Sequence, residues 1–320
     1  MENCVNSLLT GGDRVEIIII DDGSVDNTGA IADRYAEQYP HIVKAVHQEN
    51  GGHGEGINQG LRHATGTYFK VVDSDDVVSA DFPAFLDRLE QCEKDGGVDL
   101  FITNYYYVHT DGIGDRSINY SNAFPTGRIF GWKDTRLLRM HQLLTIHSCT
   151  FRTEAMRKWG EELPKKVFYE DNLMVYKTLP HVQRMYYMNT DLYRYWIGRP
   201  DQSVQESVMK KRYHHQILVT EKCFTSCHLD NISEPMLRRH LHHELFIMFG
   251  ISILFTRLNR SDETEAALDR MWETCIAFDP KWGRHFRDRT LLWLICRPGK
   301  AGQDFSEWVY RTCNKIVRFN

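Results

Sequence analysis

The sequence predicts an α/β protein: a mostly parallel central sheet flanked by helices, followed by a C-terminal helical region. Three observations carry this. Short apolar runs at 15–20, 42–46, 68–72 and 98–103 alternate with segments of helical spacing, the rhythm of strand–helix–strand units. Two of those runs, Ile17-Ile18-Ile19-Ile20 and Tyr68-Phe69-Lys70-Val71-Val72, stop on carboxylates, at Asp21-Asp22-Gly23-Ser24 and Asp73-Ser74-Asp75-Asp76. From 204 onward the apolar residues recur at threes and fours, over 204–227, 233–257 and 262–277.

Taken in order, 15–20 is a strand, because a continuous apolar run suits a strand buried on both faces. Asp26-Asn27-Thr28 caps a helix whose Ile31, Ala32, Tyr35 and Ala36 share one face. Pro40 ends it, and 42–46 is the next strand. The turn from Asn50 to Gly56 opens a short helix through Leu61. A strand at 68–72, a helix at 82–92 and a strand at 98–103 follow. Beyond Tyr105 the glycines and prolines of a long polar stretch suggest a binding loop, with helix-like 132–140 and 153–159 around a strand-like 145–151. The boundary falls at 203, dividing 1–203 from a helical appendage at 204–320.

A net charge of −4 argues against general nucleic-acid binding. The charge is uneven, however: residues 281–320 hold nine Lys and Arg against three acids. That tail also carries Trp282, Phe286, Leu291, Leu292 and Trp293, a mixture suited to an anionic lipid surface. The eight cysteines lack zinc-ligand spacing and read as reduced thiols. No apolar run approaches the roughly 20 residues that span a bilayer, and no signal peptide precedes the first strand. The expected location is cytoplasmic, with peripheral contact at the inner face of the membrane through the basic tail. His214-His215 and His240, His242 and His243 are expected on solvated helix faces.

In open α/β sheets, ligands sit beyond the carboxyl ends of strands. Five carboxylates facing one such crevice call for a cation, since acids are seldom buried without a partner. Asp73-Ser74-Asp75 is a D-x-D that can grip Mn²⁺ or Mg²⁺ and leave positions open for phosphate oxygens. Asp21-Asp22-Gly23-Ser24 reads equally as a capped turn, and its adjacent aspartates disfavour a haloacid-type hydrolase. Gly51 to Gly56 fits neither a dinucleotide fingerprint nor a P-loop. Tyr169-Glu170-Asp171-Asn172 supplies a third acidic point, a helix cap or a general base.

Together, Ile19-Ile20-Asp21-Asp22-Gly23-Ser24, Gln48-Glu49-Asn50-Gly51-Gly52, Ala64-Thr65-Gly66-Thr67-Tyr68, Val72-Asp73-Ser74-Asp75-Asp76 and Glu170-Asp171 resemble the inverting family-two glycosyltransferases, with a GT-A, Rossmann-like fold. The resemblance covers roughly 1–203. It implies transfer of a sugar from a nucleotide-diphosphate sugar to a hydroxyl of a glycan or lipid-linked acceptor, in surface polysaccharide or cell-wall glycan synthesis. It places Asp21 and Asp22 toward the nucleoside, with Asn50, Gly52 and Asn58 among the donor contacts. Asp73 and Ser74 lie near the ribose, and Asp75 and Asp73 hold the metal, while Asp76 is structural. Asp171 is the base, with Glu170 second choice, and Arg199 contacts the diphosphate.

Two departures stand out. Relatives begin with a strand near the nucleotide, whereas Met1-Glu2-Asn3-Cys4 lies in the helix expected after it. A sheet short of one central strand, with an exposed edge, is therefore expected. Ile57 also stands where an arginine often precedes Asn58, so either a diphosphate contact is lost there or His53 or Arg62 takes its place. The competing readings are an inactive nucleotide-sugar-binding protein and a sugar-nucleotide nucleotidyltransferase, though the latter wants a basic glycine-rich N-terminal loop that is not visible.

Overall fold

Residues 1–109, 114–198 and 205–317 are described in the computed structural model, side chains as far as 312. Arg199 therefore lies outside the described residues. Packing divides the chain into one unit of Met1–Arg136 with Leu144–Ile197, and a second of Leu137–Leu143 with Gly198–Asn320.

In the first unit, α1 (Glu2–Leu9), β1 (Ile17–Asp21), α2 (Thr28–Gln38), β2 (Val43–His47) and α3 (His53–His63) come first. Then follow β3 (Tyr68–Phe69), β4 (Val77–Val78), α4 (Phe82–Lys94) and β5 (Leu100–His109). The unit is completed by β6 (Arg116–Ile118), β7 (Ile129–Phe130), β8 (Cys149–Arg152), α5 (Thr153–Met156), α6 (Glu170–Thr178) and β9 (Met185–Ile197). Asp26 accepts the Thr28 N–H at 2.9 Å and so starts α2. On α4, Phe82, Phe85, Leu86, Leu89 and Cys92 form one apolar stripe, which packs with Val98, Phe101, Tyr186 and Leu192. Val5, Ile17, Ile19, Ala32, Tyr35 and Val43 form a second core between α1, α2 and the first two strands.

The α/β class and the helix-flanked sheet are those the sequence predicts, but the strand directions are mixed. β1 pairs only with β2, in parallel, as a two-stranded sheet. A seven-stranded sheet runs β3-β8-β5-β9-β4, with β6 on β5 and β7 on β9. There only β5 and β9 run parallel; β3 with β8, β5 with β8 and the remaining pairs are antiparallel. The expectation of a mostly parallel sheet is corrected. An apolar run reports that a strand is covered on both faces and says nothing of its direction.

Three segments also differ from expectation. The run at 68–72 pairs with β8 only at Tyr68 and Phe69. The strand from 98 continues to His109, held by β9 along its whole length. The helix-like 132–140 forms only the short turn Trp132–Asp134.

The second unit is helical: α7 (Glu206–Lys211), α8 (Tyr213–Ser226), α9 (Pro235–Arg257), α10 (Asp262–Phe278), α11 (Pro280–Arg289), α12 (Leu292–Ile295) and α13 (Gly299–Val317). Ser261 accepts the Thr264 N–H to cap α10, and Asp279 accepts the Trp282 N–H to cap α11. Phe249 stacks on Trp272 with ring centres 4.6 Å apart, beside Phe224 and Phe286. His240 and His243 are buried in this core rather than solvated, and His242 stacks on Phe286. His240 and His243 fall on the face of α9 that also buries Leu237, Leu241, Leu245 and Met248. No described helix is long and apolar enough to cross a membrane.

Candidate active site

At the end of β1 the two aspartates turn to different tasks. Asp21 accepts the Ser24 N–H at 3.0 Å and sits 2.8 Å from His47 Nδ1, whose Nε2 is 2.9 Å from Asp33. The hydrogen bonds from Ser24 and then His47 hold the Asp21 carboxyl below the usual range. Asp22 accepts the Gly51 and Gly52 N–H groups at 2.7 and 2.8 Å and the Gln48 amide at 2.6 Å. Both of its oxygens thus clamp the glycine-rich turn. Gly52 has φ +83°, and a Cβ there would lie 3.0 Å from the Lys166 main chain, so the turn needs glycine.

That clamp sets the start of α3 and with it His53. His53 Nδ1 lies 2.7 Å from Glu170 Oε1, and Nε2 lies 3.2 Å from Asp73 Oδ1. One imidazole therefore joins the glycine-rich turn, the D-x-D and the Glu-Asp pair. Desolvation opposes the charged ring, but hydrogen bonds to Asp73 and Glu170 outweigh it and raise its pKa well above the ordinary value. In return, although burial pushes the Asp73 carboxyl up, the His53 bond holds it at about 2.

Tyr193 organises the rest of this end. Its hydroxyl accepts the Asp73 N–H at 3.1 Å and donates to Asp76 at 2.7 Å, with Asp73 Oδ2 at 3.3 Å. Asp76 also accepts the Trp196 N–H at 2.8 Å, and its full burial pushes its carboxyl up to about 7. His147 is wedged between Tyr193 and Tyr195, at 4.7 and 4.4 Å between ring centres. Burial lowers its pKa to about 4, so the ring is neutral, and its Nδ1 has no hydrogen-bond partner.

Asp73, Asp76 and His147 bring one ligand atom each within 4.8 Å of one another. A buried imidazole nitrogen without a partner beside an ionised carboxylate is a donor set that fits a divalent ion, and imidazole favours Mn²⁺ over Mg²⁺. The cluster shares Asp73 with the D-x-D reading but contains Asp76, expected to be structural, and His147. Ser74 and Asp75 are exposed at the tip of the turn.

Glu170 and Asp171 open α6. Glu170 is buried on His53, whereas Asp171 has its carboxyl raised to about 6, first by burial and then by the Glu170 charge. The Asn172 amide donates to Asp171 at 3.1 Å. A cavity of about 830 Å³ has Asp22, Gly52, His53, Asp73, Ser74 and Asp75 at its polar end. Asn50 is exposed beside it on the turn. Asn58 is set apart: it is buried, donating to the Leu163 carbonyl and accepting the Leu163 N–H, both at 3.0 Å. Arg62 is engaged by Glu162 and Glu55, whereas His53 lines the cavity. His53, His147 and Tyr193 are the residues that sequence reasoning undervalued. The histidine inside the glycine-rich turn was the one visible signal.

The fold is that of the GT-A glycosyltransferases. Residues 1–157 match the family model Glycosyl transferase family 2. Escherichia coli YibD, named an uncharacterized glycosyltransferase, is 29% identical over 198 residues, which is 61% of this chain and 56% of that protein. The matched stretch thus spans little more than half of that relative's length. Among solved structures, S. aureus TarS 1–349 in complex with UDP-GlcNAc superposes with a TM-score of 0.66 at 19% identity, covering 97% of this chain and 87% of that one. The mannosyltransferase PcManGT from Pyrobaculum calidifontis, in complex with GDP-Man and Mn²⁺, gives 0.51 at 15% identity, covering 96% and 81%.

Proposed function

We propose that this chain is a metal-assisted, inverting glycosyltransferase that moves a sugar from a nucleoside-diphosphate sugar to a hydroxyl acceptor. The observation that carries it is that two acidic motifs line one cavity and that His53, on the same cavity, joins the second of them at Asp73 to a third at Glu170. Asp73, with Asp76 and His147 or with Asp75, would hold the ion, whose positive charge would offset the negative charge of the departing diphosphate. Asp21 and Asp22 act on the nucleoside side through the turn they brace, and Arg199 remains a candidate diphosphate contact.

In the step itself, the acceptor hydroxyl gives its proton to Asp171 as its oxygen bonds to the anomeric carbon. The bond from that carbon to the diphosphate oxygen breaks, and the electron pair leaves with the nucleoside diphosphate. Attack from the face opposite the leaving group inverts the centre. Asp171 suits the base role because its carboxyl, raised to about 6, is ionised at neutral pH yet still basic. Glu170, committed to His53, positions rather than reacts.

Bacterial surface polysaccharide or cell-wall glycan synthesis is the proposed setting. A donor screen that follows nucleotide release across common nucleotide sugars tests the activity, and binding of the donor without any release supports the inactive-binder reading instead. The basic tail is proposed to touch membrane: Leu291, Trp293 and Trp308 are exposed, and Arg297 lies over Trp293 at 4.3 Å. Co-sedimentation that is equal with neutral and anionic liposomes would remove that contact.

A further inference from the structure

The helical unit holds a cavity of its own, of about 640 Å³, whose lining residues all belong to that unit. Its size falls within the roughly 300–1,000 Å³ of small-ligand sites. α9 and α10 supply two sides, and Arg287 and Asp288 of α11 with residues 293, 296, 297 and 298 supply the rest. The buried part of the lining is mostly apolar, with Ile253 on α9 and Leu268 and Trp272 on α10.

Arg257, the last residue of α9, is a buried polar group on this cavity. Its Nη1 donates to the carbonyls of Ile295 and Arg297, at 2.5 and 3.0 Å, and its Nη2 to Glu265 at 2.8 Å. Its Nε has no acceptor. A buried N–H without an acceptor is uncommon and unfavourable, so the cavity has a place for a ligand oxygen. On α10, Asp269 and Glu273 stand one turn apart and line the same cavity. Neither has a hydrogen bond or an ion pair with a described residue, so both can accept from a ligand.

The other charges are already answered. Arg287 donates to both oxygens of Asp288, at 2.8 and 3.1 Å, and Arg297 lies over the Trp293 ring at 4.3 Å. Two of the three arginines on the cavity are thus paired with acids of the same lining, Glu265 and Asp288, rather than gathered on one wall. An anion would meet Arg257 but be repelled by Asp269 and Glu273, and a cation would do the reverse. An apolar molecule would leave all three unmet. A sugar hydroxyl both donates and accepts, and the C–H face of a sugar ring suits Leu268 and Trp272.

We infer that this cavity is a glycan-binding site: it takes a neutral oligosaccharide whose hydroxyls accept from Arg257 and donate to Asp269 and Glu273. Its role rests on the transferase reading, in which the occupant is the glycan acceptor.

The test applies the intact chain, without nucleotide sugar, to an array of immobilised bacterial surface glycans. Wild type should retain at least one neutral oligosaccharide. The double variant Asp269→Ala/Glu273→Ala, altered only at exposed positions, should keep its melting temperature and bind that glycan at least about tenfold more weakly. Asp171→Asn should bind it as wild type does. No glycan retained by wild type, equal binding by the double variant, loss of binding in Asp171→Asn, or displacement of the glycan by excess phosphocholine, a zwitterion, would overturn the inference. UDP binding by wild type, measured in parallel, reports on the transferase reading alone and keeps the two failures apart.

Discussion

The two acidic strand ends look alike in sequence and behave differently in the fold. At Asp21 and Asp22 the carboxylates are answered mainly by the main-chain N–H groups of Ser24, Gly51 and Gly52, with the Gln48 amide on Asp22 and the His47 ring on Asp21. At Asp73 and Asp76 the partners are side chains with chemistry of their own: His53, Tyr193 and the unsatisfied His147. The first end holds a turn in shape, and the second is poised to hold a ligand. A carboxylate cluster at a strand end therefore marks a place, while its bonding partners decide the task.

The comparison can be broken at either end. The largest expected effect belongs to Asp171, the proposed base, which follows the His53-bonded Glu170 at the start of α6. Asp171→Asn should lower kcat by roughly 10²–10⁴ with UDP binding unchanged, and the wild-type rate should rise with pH through about 6 as Asp171 ionises. A flat profile would reassign the base. Next, Asp73→Asn should weaken Mn²⁺ binding by on the order of 10–100-fold, read by electron paramagnetic resonance.

At the first end the readout should move to stability. Asp22→Ala leaves two main-chain N–H groups without their acceptor and should cost about 1–3 kcal/mol in urea unfolding. If Asp22→Ala instead left stability intact while abolishing Mn²⁺ binding, the contrast between the ends would collapse.

The smallest effect is pH-dependent. The Asp76 carboxyl is raised from an unfolded value near 3.8 to about 7, so its neutral form favours folding at low pH. That contribution is lost as pH rises through 7. Asp76→Asn should therefore raise the melting temperature of metal-free protein at pH 8 relative to wild type, and by less at pH 5.

Much of the α/β framework was legible because Ile17–Ile20, the α4 stripe and the glycine-rich turn are local patterns with local causes. The motifs at 21–24, 72–76 and 170–171 were legible as acids at element ends. Strand direction was not, since β8 returns beside β5 through a long connection that leaves no periodic trace. The roles of His53, His147 and Tyr193 were hidden for a related reason. Each acquires its chemistry from residues distant in sequence, as His53 does from Glu170, 117 positions away. Asn58 shows the converse, a motif residue whose side chain the fold turns to packing against Leu163.

The central claim is that the Asp73 end, not the Asp22 end, binds the ion that accompanies a nucleoside diphosphate. Calorimetric titration of UDP with and without Mn²⁺, into wild type, Asp73→Asn and Asp22→Asn, tests it most directly. The account predicts Mn²⁺-dependent binding in wild type and Asp22→Asn and its loss in Asp73→Asn. Mn²⁺-dependent binding of equal strength in all three proteins, or no binding to wild type in either condition, would contradict it.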